Sequence, residues 1–167
     1  AAERTGWDGT SKTEPATDGD GVYLISTAEE LYWFATKTRT SATKTISGRL
    51  ISDIDLNNQN WQNKEMGGSS IGSSATGYGG TFDGDGHTID LDIDTTTLVS
   101  DQGEGDNNYT LMGHVGLVNG THVEVLGGLF NNASNCTIKN LITTGSVKLA
   151  TKAEYAGVIV GTIGGTE

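Results

Sequence analysis

Short apolar runs separated by polar and glycine-rich stretches run along most of this chain. Leu50, Ser52, Ile54 and Leu56 fall on one side of an extended segment. In a second segment Ile89, Leu91 and Ile93 alternate with Asp90, Asp92 and Asp94. Period-two alternation of this kind predicts strands with one apolar and one polar face. Phe82, the region holding Cys136, Ile138 and Leu141, the Gly145-Ser146-Val147 step and the run over residues 156–163 extend the strand pattern. One segment differs. Over residues 28–37, Leu31, Phe34 and Ala35 form a helical stripe with Trp33 beside it, and Ser26 or Thr27 offers an N-cap hydroxyl. Glu29 and Glu30 occupy the first turn, and Lys37 and Arg39 the last, as the helix dipole favours. Such a helix is expected to cover the open end of a sheet or coil. Residues 1–20, with Pro15 and the Asp18-Gly19-Asp20-Gly21 turn, read as an irregular lead-in.

Composition agrees with many short strands joined by turns. The chain has 167 residues, 25 of them glycine and one proline, with threonine, serine and asparagine between the apolar runs. That mixture suits an all-β protein of a single domain. The glycines keep no three-residue period, and apolar runs recur throughout, so collagen and disorder are both excluded. Internal similarity adds organisation. The stretch from Val125 to Phe130 returns as Tyr155 to Gly161, about 29 residues on, when Gly128 is laid on Gly157. A Thr-Ile step recurs at Thr88-Ile89 and Thr137-Ile138. Periods of this size indicate solenoids, whose turns stack like side chains on one another.

The order of motifs resembles bacterial surface proteins with glycine-rich GLUG repeats, found among Gram-positive adhesins and beside the peptidase domains of immunoglobulin A proteases. The matching stretches are residues 21–35, residues 50–56, the Gly80-Thr81-Phe82-Asp83-Gly84-Asp85-Gly86-His87-Thr88-Ile89 segment, and a repeat running from Gly128 through Ile138 and Leu141 to Val147. The resemblance implies a right-handed parallel β-helix over residues 21–167, with the helix at 28–37 as its N-terminal cap and the last rung left open. It also implies secretion and a noncatalytic structural or adhesive task, any enzyme lying elsewhere in a longer chain. Residues 95–123, rich in Asp, Asn and Gly, depart from the compact pattern and are expected to form a loop excursion.

Charge narrows the partners. The formal net charge is −11, and residues 65–135 hold ten carboxylates with no lysine or arginine. Such a surface repels phosphate backbones and anionic membranes, which argues against nucleic acid as a partner. No apolar stretch approaches the roughly 18 residues needed to span a bilayer. The strand-like residues Val158 to Ile163 lie just before the last residue, so the natural chain is expected to continue, or the fragment to self-associate through that edge. A host protein or glycan is the expected further partner.

Candidate chemistry is sparse. Asp90, Asp92 and Asp94 stand about 7 Å apart along one strand face and are the candidate calcium ligands, a hard cation suiting carboxylate oxygens. A solvated outer face is the plainer reading, and an EF-hand's glycine and terminal glutamate are missing. A polysaccharide lyase needs a basic residue to abstract a proton, and His87 is the substitute available in the acidic half. Its place in a turn favours a structural hydrogen bond. The carboxylates of Asp18, Asp20, Asp83 and Asp85 sit in Asp-Gly turns, where bonds to the local backbone account for them. His114 and His122 lack a third zinc ligand. Cys136 alternates in phase with Ile138 and reads as a small buried hydrophobe. Among the aromatics, Trp7, Trp33, Trp61, Tyr32, Tyr78 and Tyr109 offer either a contact surface or closure of the cap. The sequons at Asn108, Asn119, Asn132 and Asn135 matter only in a glycosylating host.

Overall fold

The computed structural model describes residues 6–38, 40, 42–60, 77–94, 115–118, 122–127, 129–148, 155–156 and 160–164. The one described helix, α1 (Ala28–Lys37), starts where the hydroxyl signal placed it. Thr27 is the N-cap, and its Oγ1 accepts from the Glu30 N–H at 3.2 Å. Glu30 reaches back in turn, its carboxylate accepting from the N–H and hydroxyl of Ser26 at 2.6 and 3.0 Å. This is a capping box moved one residue upstream, and it satisfies donors that a helix start leaves open. At the far end the Thr38 N–H donates to the Phe34 carbonyl and its hydroxyl to that of Ala35.

Two parallel sheets carry seven strands. In the first, β1 (Tyr23–Ile25), β2 (Gly48–Leu50), β4 (Thr81–Asp83) and β9 (Thr137–Lys139) lie in that order. In the second, β5 (Thr88–Asp94) lies between β3 (Ile54–Asn60) and β10 (Ile142–Lys148). Three chain passages, β2–β3, β4–β5 and β9–β10, contribute a strand to each sheet and turn between them, while β1 belongs to the first sheet alone. The expected continuous strand through Leu50, Ser52, Ile54 and Leu56 is therefore broken: β2 ends at Leu50, the corner takes Ile51 to Asp53, and β3 begins at Ile54. Further on, β6 (Val115–Val118) and β7 (His122–Gly127) form an antiparallel hairpin. β11 (Tyr155–Ala156) adds to β7, and β8 (Phe130–Ser134) pairs with β12 (Val160–Gly164).

The expected all-β right-handed parallel β-helix is not what forms; the arrangement is mixed α/β. Three findings overturn the expectation. First, α1 is part of the core rather than a lid over its end. Leu31, Phe34 and Ala35 are fully buried, and the Phe34 ring lies 6.2 Å from that of Tyr23, 6.1 Å from Tyr78 and 5.8 Å from Phe82. Second, the spacing between paired strands is irregular. In the first sheet Gly48 pairs with a residue 25 positions earlier, Phe82 with one 34 earlier, and Ile138 with one 56 earlier. A solenoid keeps a near-constant period, because each repeat is the same unit. Third, the β6–β7 hairpin is antiparallel. It occupies part of the expected loop excursion, whose residues 95–114 lie outside the described residues.

The similarity at an offset of 29 does reappear as strand pairing. Tyr155 pairs with Leu126, 29 residues earlier, and Val160 with Phe130, 30 earlier. The two Thr-Ile steps do not stack on each other: Thr137 pairs with Thr81, and Thr88 with Ile142.

Aromatic rings bind the sheets and helix into one core. Phe34 meets Phe82, Phe82 meets Phe130 edge-on at 5.4 Å, and Phe130 meets Tyr78 at 5.3 Å. All four are fully buried. Tyr78 keeps its hydroxyl satisfied by donating to the Ile46 carbonyl at 2.8 Å, and burial pushes its ionisation well above the ordinary tyrosine range. No helix among the described residues is long and apolar enough to cross a membrane.

Candidate functional site

A cleft of about 340 Å³ opens at the start of α1. Ser26, Thr27, Ala28 and Glu29 form one wall, the β2–β3 corner and β3 supply Asp53, Ile54, Asp55 and Asn57, and Gly6 with Trp7 closes a side. The volume is within the range of small-ligand sites. Its chemistry is carboxylate-rich, through Glu29, Asp53 and Asp55.

What those side chains do is largely internal. Asp53 Oδ1 accepts from the Thr88 N–H at 2.9 Å and lies 3.3 Å from His87 Nδ1. These contacts, the backbone bond first, hold the Asp53 carboxyl below its usual range. Asp55 Oδ1 accepts from the Asn57 N–H at 2.7 Å. Asn57 sits in the left-handed region at φ 53°, which asparagine tolerates, and its side-chain amide donates to the Trp7 carbonyl at 3.2 Å. The cleft is thus bounded by groups that tie one chain passage to the next.

Other aspartates repeat the pattern. Asp18 accepts from the N–H groups of Asp20 and Val22, each at 3.0 Å, and faces Arg49 at 3.7 Å. Asp83 accepts from the Asp85 N–H and from the Asn140 amide, with Lys139 Nζ at 3.5 Å. Asp8 accepts from the N–H groups of Thr10 and Ser11 and from the Ser11 hydroxyl. In all three cases hydrogen bonds to the carboxylate, led by those to backbone or to Ser11, pull the carboxyl below its ordinary value. The turn roles expected of Asp18 and Asp83 are therefore present.

Of the candidate calcium ligands, Asp90 is exposed on β5 and accepts from the Thr144 hydroxyl at 3.0 Å. Asp92 and Asp94 share that strand, in register with Ser146 and Lys148, and their side chains lie outside the described residues. No group of three or more His, Cys, Asp or Glu side chains that could hold a metal ion occurs among the described residues. His114 lies outside them, as does the His122 side chain.

His87 makes the structural contact expected of it, with Asp53 as partner. Asp53 itself was not singled out by sequence, since its partners are 34 and 35 residues away. Cys136 is half-buried against the core beside Ile138, and burial raises its thiol pKa, the opposite of an activated nucleophile. Of the aromatics, Trp7, Tyr32 and Tyr78 are buried. Trp33 is half-buried, stacked near Tyr23 with Lys37 Nζ 5.2 Å from its ring centre, while Trp61 and Tyr109 lie outside the described residues. Closure of the core accounts for most of them. Comparison with protein-family models, with curated proteins and with solved structures finds no match.

Proposed function

We propose that this chain is a noncatalytic structural or adhesive module of a secreted or cell-surface bacterial protein, with a host protein or glycan as its ligand. The bacterial and extracellular parts of the proposal rest on the resemblance of its motif order to GLUG-repeat surface proteins. The observation that supports a scaffold is the deployment of its carboxylates. A glycoside-cleaving pair needs one carboxyl with a raised pKa to act as acid. Here Asp8, Asp18, Asp53 and Asp83 are instead held ionised by the bonds that pin turns and neighbouring strands. His87, the base considered for a lyase, contacts Asp53 through Nδ1, which ties its turn to the β2–β3 corner.

The test is incubation with a panel of acidic and neutral polysaccharides, following reducing ends and unsaturated products, together with binding of labelled protein to immobilised glycans and matrix proteins. Saturable binding without turnover is the expected result. Depolymerisation that disappears in His87→Ala would overturn the proposal.

A further inference from the structure

Five aspartates precede a glycine: Asp8, Asp18, Asp20, Asp83 and Asp85. Such a step is where a protein chain rearranges most readily, because glycine turns easily and puts no side chain in the way of its own amide nitrogen. That nitrogen attacks the aspartate side-chain carbon and closes a five-membered succinimide. Two conditions govern it. The carboxyl must be available, since the protonated acid loses its hydroxyl as water far more readily than the carboxylate does. The chain about the glycine amide must also be able to turn.

Three of the five steps fail the first condition. Asp8 accepts from the N–H groups of Thr10 and Ser11 and from the Ser11 hydroxyl, Asp18 from the N–H groups of Asp20 and Val22, and Asp83 from the Asp85 N–H and the Asn140 amide. These bonds lower each carboxyl, and every unit of lowering cuts the protonated fraction about tenfold. Asp83 is doubly protected, because the Gly84 N–H donates to the Lys139 carbonyl at 2.9 Å.

Asp20 and Asp85 are exposed, and neither carboxylate has a hydrogen-bond or ion-pair partner among the described residues. The second condition separates them. Asp85 is held in the left-handed region at φ 48°, and the Gly86 N–H donates to the Asn140 carbonyl of the next passage at 2.9 Å. Turning that amide means parting two corners. The Gly21 N–H instead donates within its own turn, to the Asp18 carbonyl at 3.1 Å, and a methyl group at Gly19 or Gly21 would meet nothing within 4 Å. The tip of this turn stands clear of the fold.

We infer that Asp20 is a modification site, at which the chain converts aspartate to isoaspartate. The Gly21 nitrogen gives up its proton and bonds to the Asp20 side-chain carbon, while the side-chain hydroxyl leaves as water. Water then returns to the ring. Opening at the main-chain carbonyl leaves Gly21 joined through the Asp20 side chain, and opening at the other carbonyl restores aspartate, so no atom is gained or lost overall. The isoaspartyl main chain is one carbon longer between Asp20 and Gly21. That draws the Val22 N–H away from Asp18 and loosens the turn that Asp18 ties to Arg49 of β2.

The experiment holds the folded 167-residue chain at about pH 5, where ordinary carboxyls keep a protonated fraction, and maps its peptides over time by chromatography and electron-transfer fragmentation. Isomerisation shifts retention without changing mass, which sets it apart from deamidation, and fragmentation resolves Asp18 from Asp20. Asp20 is expected to convert about tenfold or more faster than Asp8, Asp18 and Asp83, and faster than Asp85. In guanidinium the five rates should converge, since only the shared Asp-Gly pair then matters. Asp20→Glu should remove the isomer, because the larger ring closes far more slowly. Equal rates at all five steps of the folded chain, or any other step leading, would overturn the inference. So would a folded chain without isoaspartate at Asp20 over a period in which the denatured chain converts.

Discussion

Replacing Phe34 with alanine separates a helix that belongs to the core from one that merely covers it. The ring is fully buried and touches Tyr23 of β1, Phe82 of β4 and Tyr78. It also approaches β2 so closely that a methyl group on Gly48 would lie 3.0 Å from its ring carbons. Truncating such a ring removes its transfer free energy and leaves a cavity the sheets cannot readily close, about 3–5 kcal/mol in comparable cores. For a chain of this length each kcal/mol lowers Tm by roughly 2–4 °C, so the expected fall is roughly 6–20 °C. Urea unfolding, followed at once by far-ultraviolet circular dichroism and by tryptophan fluorescence, is the suitable assay. Trp33 sits on the helix and Trp7 packs on Tyr32 at 5.5 Å, so with Trp61 replaced by phenylalanine the fluorescence reports the helix and its seat. Both signals should move to lower urea together, as one cooperative unit does. A loss below about 1 kcal/mol would be too small for a core aromatic and would show that the helix is peripheral. A helix transition that splits from that of the sheets would show the same.

Gly48→Ala should cost about 1–3 kcal/mol by overpacking against Phe34 and Ile25, and the cost should shrink markedly when Phe34 is leucine; a double-mutant cycle in urea measures the coupling. Gly145 and Gly86 both have positive φ, at 112° and 77°. A methyl at Gly86 meets open space, whereas one at Gly145 would lie 1.8 Å from the Leu91 carbonyl oxygen. Gly86→Ala should therefore cost about 1–2 kcal/mol and Gly145→Ala clearly more, with the β10–β5 amides losing hydrogen-exchange protection; equal costs would contradict the close approach. Asp18, Asp53 and Asp83 have carboxyls lowered in the folded state. The unfolded chain then binds protons first, so their contribution is fully present above the ordinary carboxylate pKa of about 4 and is lost as pH falls through the lower folded values. Urea midpoints should stay level from about pH 7 to 5 as far as these groups are concerned. They should drop below about pH 4, less steeply in Asp53→Asn, which keeps an acceptor for the Thr88 N–H; an unchanged acid limb in that variant would remove Asp53 from the account.

Features that depend on neighbours within a few residues were legible in the sequence. Thr27 and Glu30 cap the helix through contacts three and four residues long, and Asp18 and Asp83 bind amides two to four residues on. Alternation in β5 put Ile89 and Leu91 inside and Asp90 outside, because successive side chains of a strand must point to opposite faces. The same alternation misled at Leu50 to Leu56. A corner that inserts three residues between two strands preserves the apolar pattern while turning the backbone, and only the corner's partners reveal it. The solenoid expectation failed for a related reason. Local similarity records that two segments suit the same surroundings, as with Leu126 and Tyr155, but not how much chain lies between other pairs.

By itself, then, the sequence determined strands such as β5 with its buried face, the helix with its cap and the turns of Asp18 and Asp83, since each follows from backbone geometry and hydrogen bonding over a few residues. Only the tertiary structure decided that α1 is core and that Asp53 binds the Thr88 amide 35 residues away. Those outcomes rest on which apolar faces meet in three dimensions, and burial rewards any partner that excludes water, whatever its distance along the chain.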